Sequence, residues 1–181
     1  MLRFARNDTL IMQRYIAYNL WNMSGKIKTK KELKDIISSL KKQDKRIVFT
    51  NGCFDILHYG HIKYLQDAKG LAEVLVVGLN SDSSVKKIKG SARPINKQLD
   101  RARVLSALTC VDYLTIFSED TPLKLIKLIQ PDVLVKGGDW PTERIVGADF
   151  VKSRGGKVSA IPYIQGYSTT QQIKKIRELS A

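Results

Sequence analysis

Five short apolar runs recur along the chain with helix-forming stretches between them. They are Ile47-Val48-Phe49-Thr50, Val74-Leu75-Val76-Val77-Gly78-Leu79, Tyr113-Leu114-Thr115-Ile116, Val133-Leu134-Val135 and Val158-Ser159-Ala160-Ile161. Short runs rich in β-branched residues read as buried strands. Between them, apolar spacing predicts helices over 61–68 and 100–108, one opened by Pro122 at its first position and running to Ile129, one near 145–153, and a last one over about 170–179. A leading helix over about 29–42 follows from Thr29 and Glu32, which fit a capping box, and from Leu33, Ile36, Ile37 and Leu40 at helical spacing. Strands alternating with helices dictate an α/β fold: an open, mostly parallel five-stranded sheet with helices on both faces. Ligands bind such sheets beyond the carboxyl ends of the strands, so the residues that carry chemistry belong just after each strand.

The 181 residues suit one domain, expected over 23–181, with residues 1–22 as a disordered extension lacking amphipathic period. Hydrophobic residues at 43% and charged residues at 27% are those of a soluble globular protein. No apolar run is long enough to span a bilayer and no signal-peptide pattern opens the chain, so a cytoplasmic location without membrane contact is expected. Cys53 and Cys110 make neither a disulfide framework nor a metal-binding pair. The net charge of +14 favours anionic partners, either nucleic acid or small phosphorylated substrates. No helix-turn-helix, zinc-finger or aromatic RNA-binding signature accompanies the charge, so nucleic-acid binding stands as the alternative and not as the expectation.

The first post-strand segment is Thr50-Asn51-Gly52-Cys53-Phe54-Asp55, followed by His58-Tyr59-Gly60-His61 at the start of the next helix. Gly52 lets the backbone turn closely and expose N–H groups, and Gly60 keeps open a helix start where dipole and free N–H groups favour an anion. His58 and His61, the only histidines in the chain, sit three residues apart and can donate to phosphate oxygens as charge shifts. Two rival readings stand beside this one: half of a zinc site, which lacks further ligands, and ordinary helix-start residues. Neither GxGxxG nor GxxxxGK[ST] occurs, which removes the dinucleotide and P-loop readings. Gly166-Tyr167-Ser168-Thr169-Thr170 precedes the last helix, as a phosphate cradle or as a plain N-cap. Lys136-Gly137-Gly138-Asp139 ends the fourth strand, where paired glycines permit close approach of a base or ribose; its rival is a surface turn. Lys89, Gly90, Arg93 and Arg101 belong to a basic segment that either closes over phosphates or is an exposed connector. The sequence holds no obvious carboxylate cluster for a metal.

In this order, these pieces resemble the cytidylyltransferase-like nucleotidyltransferase superfamily over about residues 45–178. Its HxGH signature is matched by His58-Tyr59-Gly60-His61 and its Ser/Thr-rich second signature by Tyr167-Ser168-Thr169-Thr170. The resemblance implies a Rossmann-like fold of the nucleotidyltransferase type. Within the superfamily the chain looks most like the adenylyltransferases of ADP-heptose synthesis, which act on D-glycero-β-D-manno-heptose 1-phosphate. Asn80-Ser81-Asp82, Lys89-Gly90, Arg93-Pro94, Glu119-Asp120-Thr121-Pro122 and Lys136-Gly137-Gly138-Asp139 carry that likeness. Glycerol-3-phosphate cytidylyltransferases, the nearest rival, usually carry an arginine where this chain has Tyr163 and lack the Lys-Gly-Gly-Asp form. In many relatives the domain is fused behind a sugar kinase.

The resemblance implies roles for particular residues. His58 and His61 would stabilise charge on the α-phosphate of ATP. Thr50 and the backbone of Asn51, Gly52, Cys53 and Phe54, together with Gly60, Ser168, Thr169 and Thr170, would hold the nucleotide phosphates. Lys89, Arg101 and Lys136 would neutralise anionic oxygens, and Gly137, Gly138 and Asp139 would lie near the nucleoside. Asp55 would order the first loop or meet the sugar phosphate, or serve as a plain helix-start carboxylate, and Arg93 would contact the substrate. Mg²⁺ would be held mainly through the phosphates. The partners implied are ATP, a sugar 1-phosphate and a second copy of the chain.

Overall fold

The five runs pair as one all-parallel sheet in the computed structural model, which describes residues 25–179. The extension expected over 1–22 lies outside the described residues. Strands β1 (Ile47–Gly52), β2 (Val74–Asn80), β3 (Tyr113–Phe117), β4 (Val133–Gly137) and β5 (Lys157–Ile161) stand in the order β3-β2-β1-β4-β5. The helices among the described residues are α1 (Lys30–Lys42), α2 (Tyr59–Lys69), α3 (Asp82–Lys89), α4 (Gln98–Ser106), α5 (Leu123–Ile129), α6 (Ala148–Lys152) and α7 (Thr169–Leu179).

Successive side chains of a strand point to opposite faces, so each strand feeds two core layers. Ile47 and Phe49 join Leu33 and Ile37 of α1, Ile126 and Ile129 of α5 and Val151 of α6. Val48, Leu75, Val77 and Leu79 join Leu65 and Ala68 of α2 and Ala102 and Leu105 of α4 on the other face. Each fully buried Leu, Ile or Phe contributes about 1.5–3 kcal/mol. The layers hold without covalent help, and both cysteines are free thiols. No helix among the described residues is long and apolar enough to cross a membrane.

Local chemistry sets the ends of the helices. The capping box at α1 is complete: the Thr29 N–H donates to the Glu32 carboxylate at 2.8 Å, and the Glu32 N–H donates to Thr29 Oγ1 at 3.2 Å. Pro122 takes the position before α5 and not its first turn. The helix expected near 145–153 is shorter: a 3₁₀ turn, Thr142–Arg144, precedes the five-residue α6. Gly147 explains the break, because its φ of +89° has no place inside a helix and any Cβ there would fall 2.7 Å from Ile126. Helix α3 is an element that periodicity misses. Its opening Ser81-Asp82-Ser83-Ser84 reads as a turn, yet Ser81 Oγ accepts from the Ser84 N–H at 3.2 Å and caps a helix there.

The strand order places the ligand crevice. The chain winds outward from β1 through β2 to β3, then returns to the other side of β1 for β4 and β5, so the switch point lies between β1 and β4. The pairing between those two strands covers only Val48–Val133 and Phe49–Leu134. Each of them is paired to its carboxyl end with its outer neighbour. The sheet therefore parts between Thr50–Gly52 and Val135–Gly137.

Candidate active site

Tyr64 fills the base of that parting. Its hydroxyl lies 2.5 Å from Thr50 Oγ1, and its ring is among the nearest neighbours of Gly137. Burial pushes the Tyr64 hydroxyl pKa well up, so it stays a neutral hydrogen-bonding group. The Thr50 side chain is spent on this contact and is completely buried, which corrects its expected place among the phosphate contacts. Tyr64 follows His61 by three residues on one face of α2, a spacing from which it was recoverable.

Beyond β1 the chain turns tightly. Phe54 is buried at φ +43°, its ring covers Gly52 and meets His61 edge-on at 5.3 Å. The ring forms a wall of the turn, and among the described residues the N–H groups of Cys53 and Phe54 have no hydrogen-bond acceptor. His58 then caps α2 with an extended backbone and makes no side-chain cap hydrogen bond. Its ring stacks on His61, with centroids 3.8 Å apart and planes 21° apart. Nδ1 of each ring is buried without a partner. Burial lowers the pKa of His58. Burial, then the neighbouring His58, brings His61 down to about 4, against a hydrogen bond to the Ile56 backbone that favours the charged form. Both rings are therefore neutral at neutral pH, and an anion beside them would raise their proton affinity.

The second signature meets the first. Tyr167 lies 6.4 Å from the His58 ring and 5.4 Å from the Tyr59 ring, and its Cβ is the atom nearest to where a Gly60 side chain would begin. Ser168 is an N-cap, its Oγ accepting from the Gln171 N–H at 3.1 Å, and Thr169 Oγ1 donates to the Ile56 carbonyl at 3.4 Å. Two helix starts, α2 and α7, thus converge on one spot. Each brings N–H groups without intrahelical partners and the positive end of its dipole. The N-cap and phosphate-cradle readings of Ser168-Thr169-Thr170 are compatible here.

Positive charge gathers on the Cys53 turn. Burial raises the Cys53 thiol pKa, and Lys89, Arg101, Lys136 and Arg93 pull the other way. Burial lowers the Lys136 pKa, and Lys89 adds to that shift. Neither Lys89 nor Lys136 has a carboxylate within ion-pair distance among the described residues. Arg101 differs and corrects the expectation that it meets phosphate. Its side chain is 0% exposed, and its guanidinium donates to the carbonyls of Cys53 (2.5 Å) and Asn96 (3.0 Å) and to Asp82 Oδ1 (2.7 Å). It fixes the turn from behind.

Asp55 is likewise committed. Its carboxylate accepts from Arg93 Nε at 2.6 Å and from the N–H groups of Ile95 and Asn96 at 2.8–2.9 Å. Burial alone would push its pKa up, but the Asn96 and Ile95 N–H groups and Arg93 outweigh it and hold the carboxyl below its usual range. Of its expected roles, ordering the loop is the one its geometry serves. On the far side of the crevice, Tyr163 is 70% exposed yet its ring edge lies 2.8 Å from where a Gly138 Cβ would sit, with Trp140 at 3.2 Å. Gly138 has φ +107°, so glycine is required there on both counts. The aromatic cover over this glycine pair is legible only in three dimensions.

Paired uncharged histidines, two helix starts and lysines without a carboxylate partner among the described residues gather around one turn, an arrangement chemically suited to a polyphosphate and of the kind a nucleotidyltransferase needs. Residues 49–172 match the cytidylyltransferase-like family model, and the chain belongs to that family. The bifunctional protein HldE of Geotalea uraniireducens is 54% identical over 153 residues, 84% of this chain and 31% of that protein. The bifunctional protein HldE of Campylobacter jejuni subsp. doylei is 52% identical over 162 residues, 90% of this chain and 34% of that protein. The chain spans about a third of the length of these curated relatives. Among solved structures, the lipopolysaccharide core biosynthesis protein of Thermoplasma volcanium is similar with a TM-score of 0.55 and 28% identity, over 68% of this chain and 99% of that one. A pantoate-beta-alanine ligase from Francisella tularensis, at 21% identity and TM-score 0.57 over 84% of this chain and 78% of that one, shares the fold.

Proposed function

We propose that this chain transfers AMP from ATP to D-glycero-β-D-manno-heptose 1-phosphate, giving ADP-heptose and pyrophosphate. The observation that carries the reading is the His58–His61 stack, with both Nδ1 atoms buried and unpartnered where α2 and α7 begin. Similarity to HldE proteins over 84–90% of the chain supports the heptose acceptor.

A phosphate oxygen of the acceptor, already anionic, forms the new bond to the α-phosphorus. The bond from that phosphorus to the bridging oxygen breaks, and pyrophosphate leaves with the electron pair. No nucleophilic side chain is needed, so catalysis rests on positioning and on charge stabilisation. His58 and His61 donate to the α-phosphate oxygens as they gain charge, while the Cys53 and Phe54 N–H groups, Lys89 and Lys136 hold the triphosphate. The nucleoside lies toward Gly137, Gly138 and Asp139. No group of three or more potential ligand side chains occurs among the described residues. Mg²⁺ would enter on the triphosphate, where it would supply further charge neutralisation. The same reading carries a cytoplasmic homodimer.

The test is pyrophosphate release with ATP or CTP against heptose 1-phosphate, glycerol 3-phosphate and flavin mononucleotide. Turnover confined to ATP with the heptose phosphate is expected. Preference for CTP with glycerol 3-phosphate would replace the proposal with its rival.

A further inference from the structure

A cavity of about 370 Å³ separates α7 from the connection between α3 and α4. Nothing in the phosphate site accounts for it. One wall is the α3–α4 connection, presenting Arg93 and Ile95. The other is a single face of α7: Thr170, Ile173, Lys174 and Arg177 follow at helical spacing, and Glu178 flanks them. No residue of α7 is buried. This face, with an isoleucine set among cations, therefore has no role in the core.

The first wall is rigid. Asp55, with a side chain 1% exposed, binds Arg93 through Nε alone and clamps the Ile95 and Asn96 backbone. The terminal nitrogens of Arg93 have no acceptor among the described residues. Ile95 is 56% exposed although its backbone is fixed. The cavity also has a defined position. Thr170 lines it and stands beside Ser168 and Thr169, so one end opens at the start of α7, next to the histidine stack. The α3–α4 connection follows β2, on one side of β1, whereas Gly137 and Gly138 end β4 on the other. With the nucleoside on the β4 side, the β2 side is the approach left for the group that attacks.

We infer that this cavity is the acceptor subsite, binding a phosphorylated sugar with Arg93, Lys174 and Arg177 toward its phosphate and Glu178 toward its hydroxyls. The inference rests on the proposed transferase reading. Lys174 and Glu178 form an exposed pair at 3.7 Å, so the site keeps a net positive charge that suits a phosphate dianion. Ile95 and Ile173 offer an apolar surface to the C–H face of a sugar ring. The volume lies in the ~300–1,000 Å³ range of small-molecule sites. A three-carbon phosphate would leave much of it unfilled, whereas a seven-carbon sugar phosphate uses it.

The test is the steady-state kinetics of wild type, the double variant Lys174→Ala/Arg177→Ala, and Ile173→Trp, which fills the cavity. All are read with whichever acceptor phosphate the wild-type enzyme turns over. A KM for the acceptor raised tenfold or more in both variants, with the KM for ATP within twofold, is expected. An unchanged acceptor KM in both, or an ATP KM that rises as much as the acceptor KM, overturns the subsite. A wrong sugar would show instead as a different acceptor in the wild type. The two readings therefore fail separately.

Discussion

Replacing Gly60 with alanine should improve the helix and damage the enzyme. Gly60 is the second residue of α2, in ordinary helical backbone, so alanine costs no strain and gains up to about 1 kcal/mol of helix propensity. The added Cβ, however, would lie 3.0 Å from Tyr167 Cβ and 3.1 Å from His58 Nδ1, whereas ordinary contacts begin at 3.4 Å. Tyr167 and His58 must each retreat by about 0.3–0.4 Å, the difference between those distances. A misplacement of about 1 Å costs roughly a hundredfold in rate, so two shifts of this size should lower kcat about tenfold. The assay pairs kcat at saturating substrates with thermal unfolding of the same protein. A Tm equal to or above wild type with kcat down about tenfold is expected. Full kcat would show that the contact among Gly60, His58 and Tyr167 does not set the geometry of the site.

Other perturbations bear on different parts of the site. His58→Ala and His61→Ala should each lower kcat by about a hundredfold or more while leaving the urea midpoint near wild type, as loss of charge-stabilising donors requires. Burial holds the His61 pKa at about 4 in the folded protein, against an ordinary value of 6.5. The unfolded chain therefore takes up a proton between about pH 6.5 and 4 that buried His61 does not, so the folded protein keeps its full stability above about pH 6.5 and loses up to about 3 kcal/mol as pH falls to about 4. Urea midpoints measured across that window should show a slope that His61→Gln reduces. Arg101→Met leaves the Cys53 and Asn96 carbonyls and Asp82 without their donor, and should cost about 3 kcal/mol in urea unfolding and also raise the KM for ATP by displacing the turn.

The sheet and the position of its crevice were legible because strands buried on both faces leave near-continuous apolar runs, and the motif after β1 falls at the switch point. The histidines were legible as a spaced pair following a strand. Their stacking was not, because it depends on Phe54 and Tyr167 converging from separate segments. Arg101 and Asp55 show a different gap. A charged residue in a basic, motif-bearing stretch reads the same whether it meets a ligand or holds a loop, and only burial with saturated donors or acceptors separates the two. Helix α3 was hidden by a start rich in serine and aspartate, residues that favour turns as readily as caps. The helix near 145–153 was overdrawn because sequence spacing does not reveal the positive φ of Gly147.

In the proposed reaction the bond broken is the one between the α-phosphorus of ATP and the oxygen that bridges it to the β-phosphorus. Labelled ATP tests it directly, with heptose 1-phosphate as acceptor and the products separated. Label from the α-position should appear in the nucleotide sugar and label from the γ-position in pyrophosphate, in equal amounts. Label from the γ-position in the sugar product, or label from the α-position retained in ADP, would mean that the γ-phosphorus is attacked and that the chain is not an adenylyltransferase.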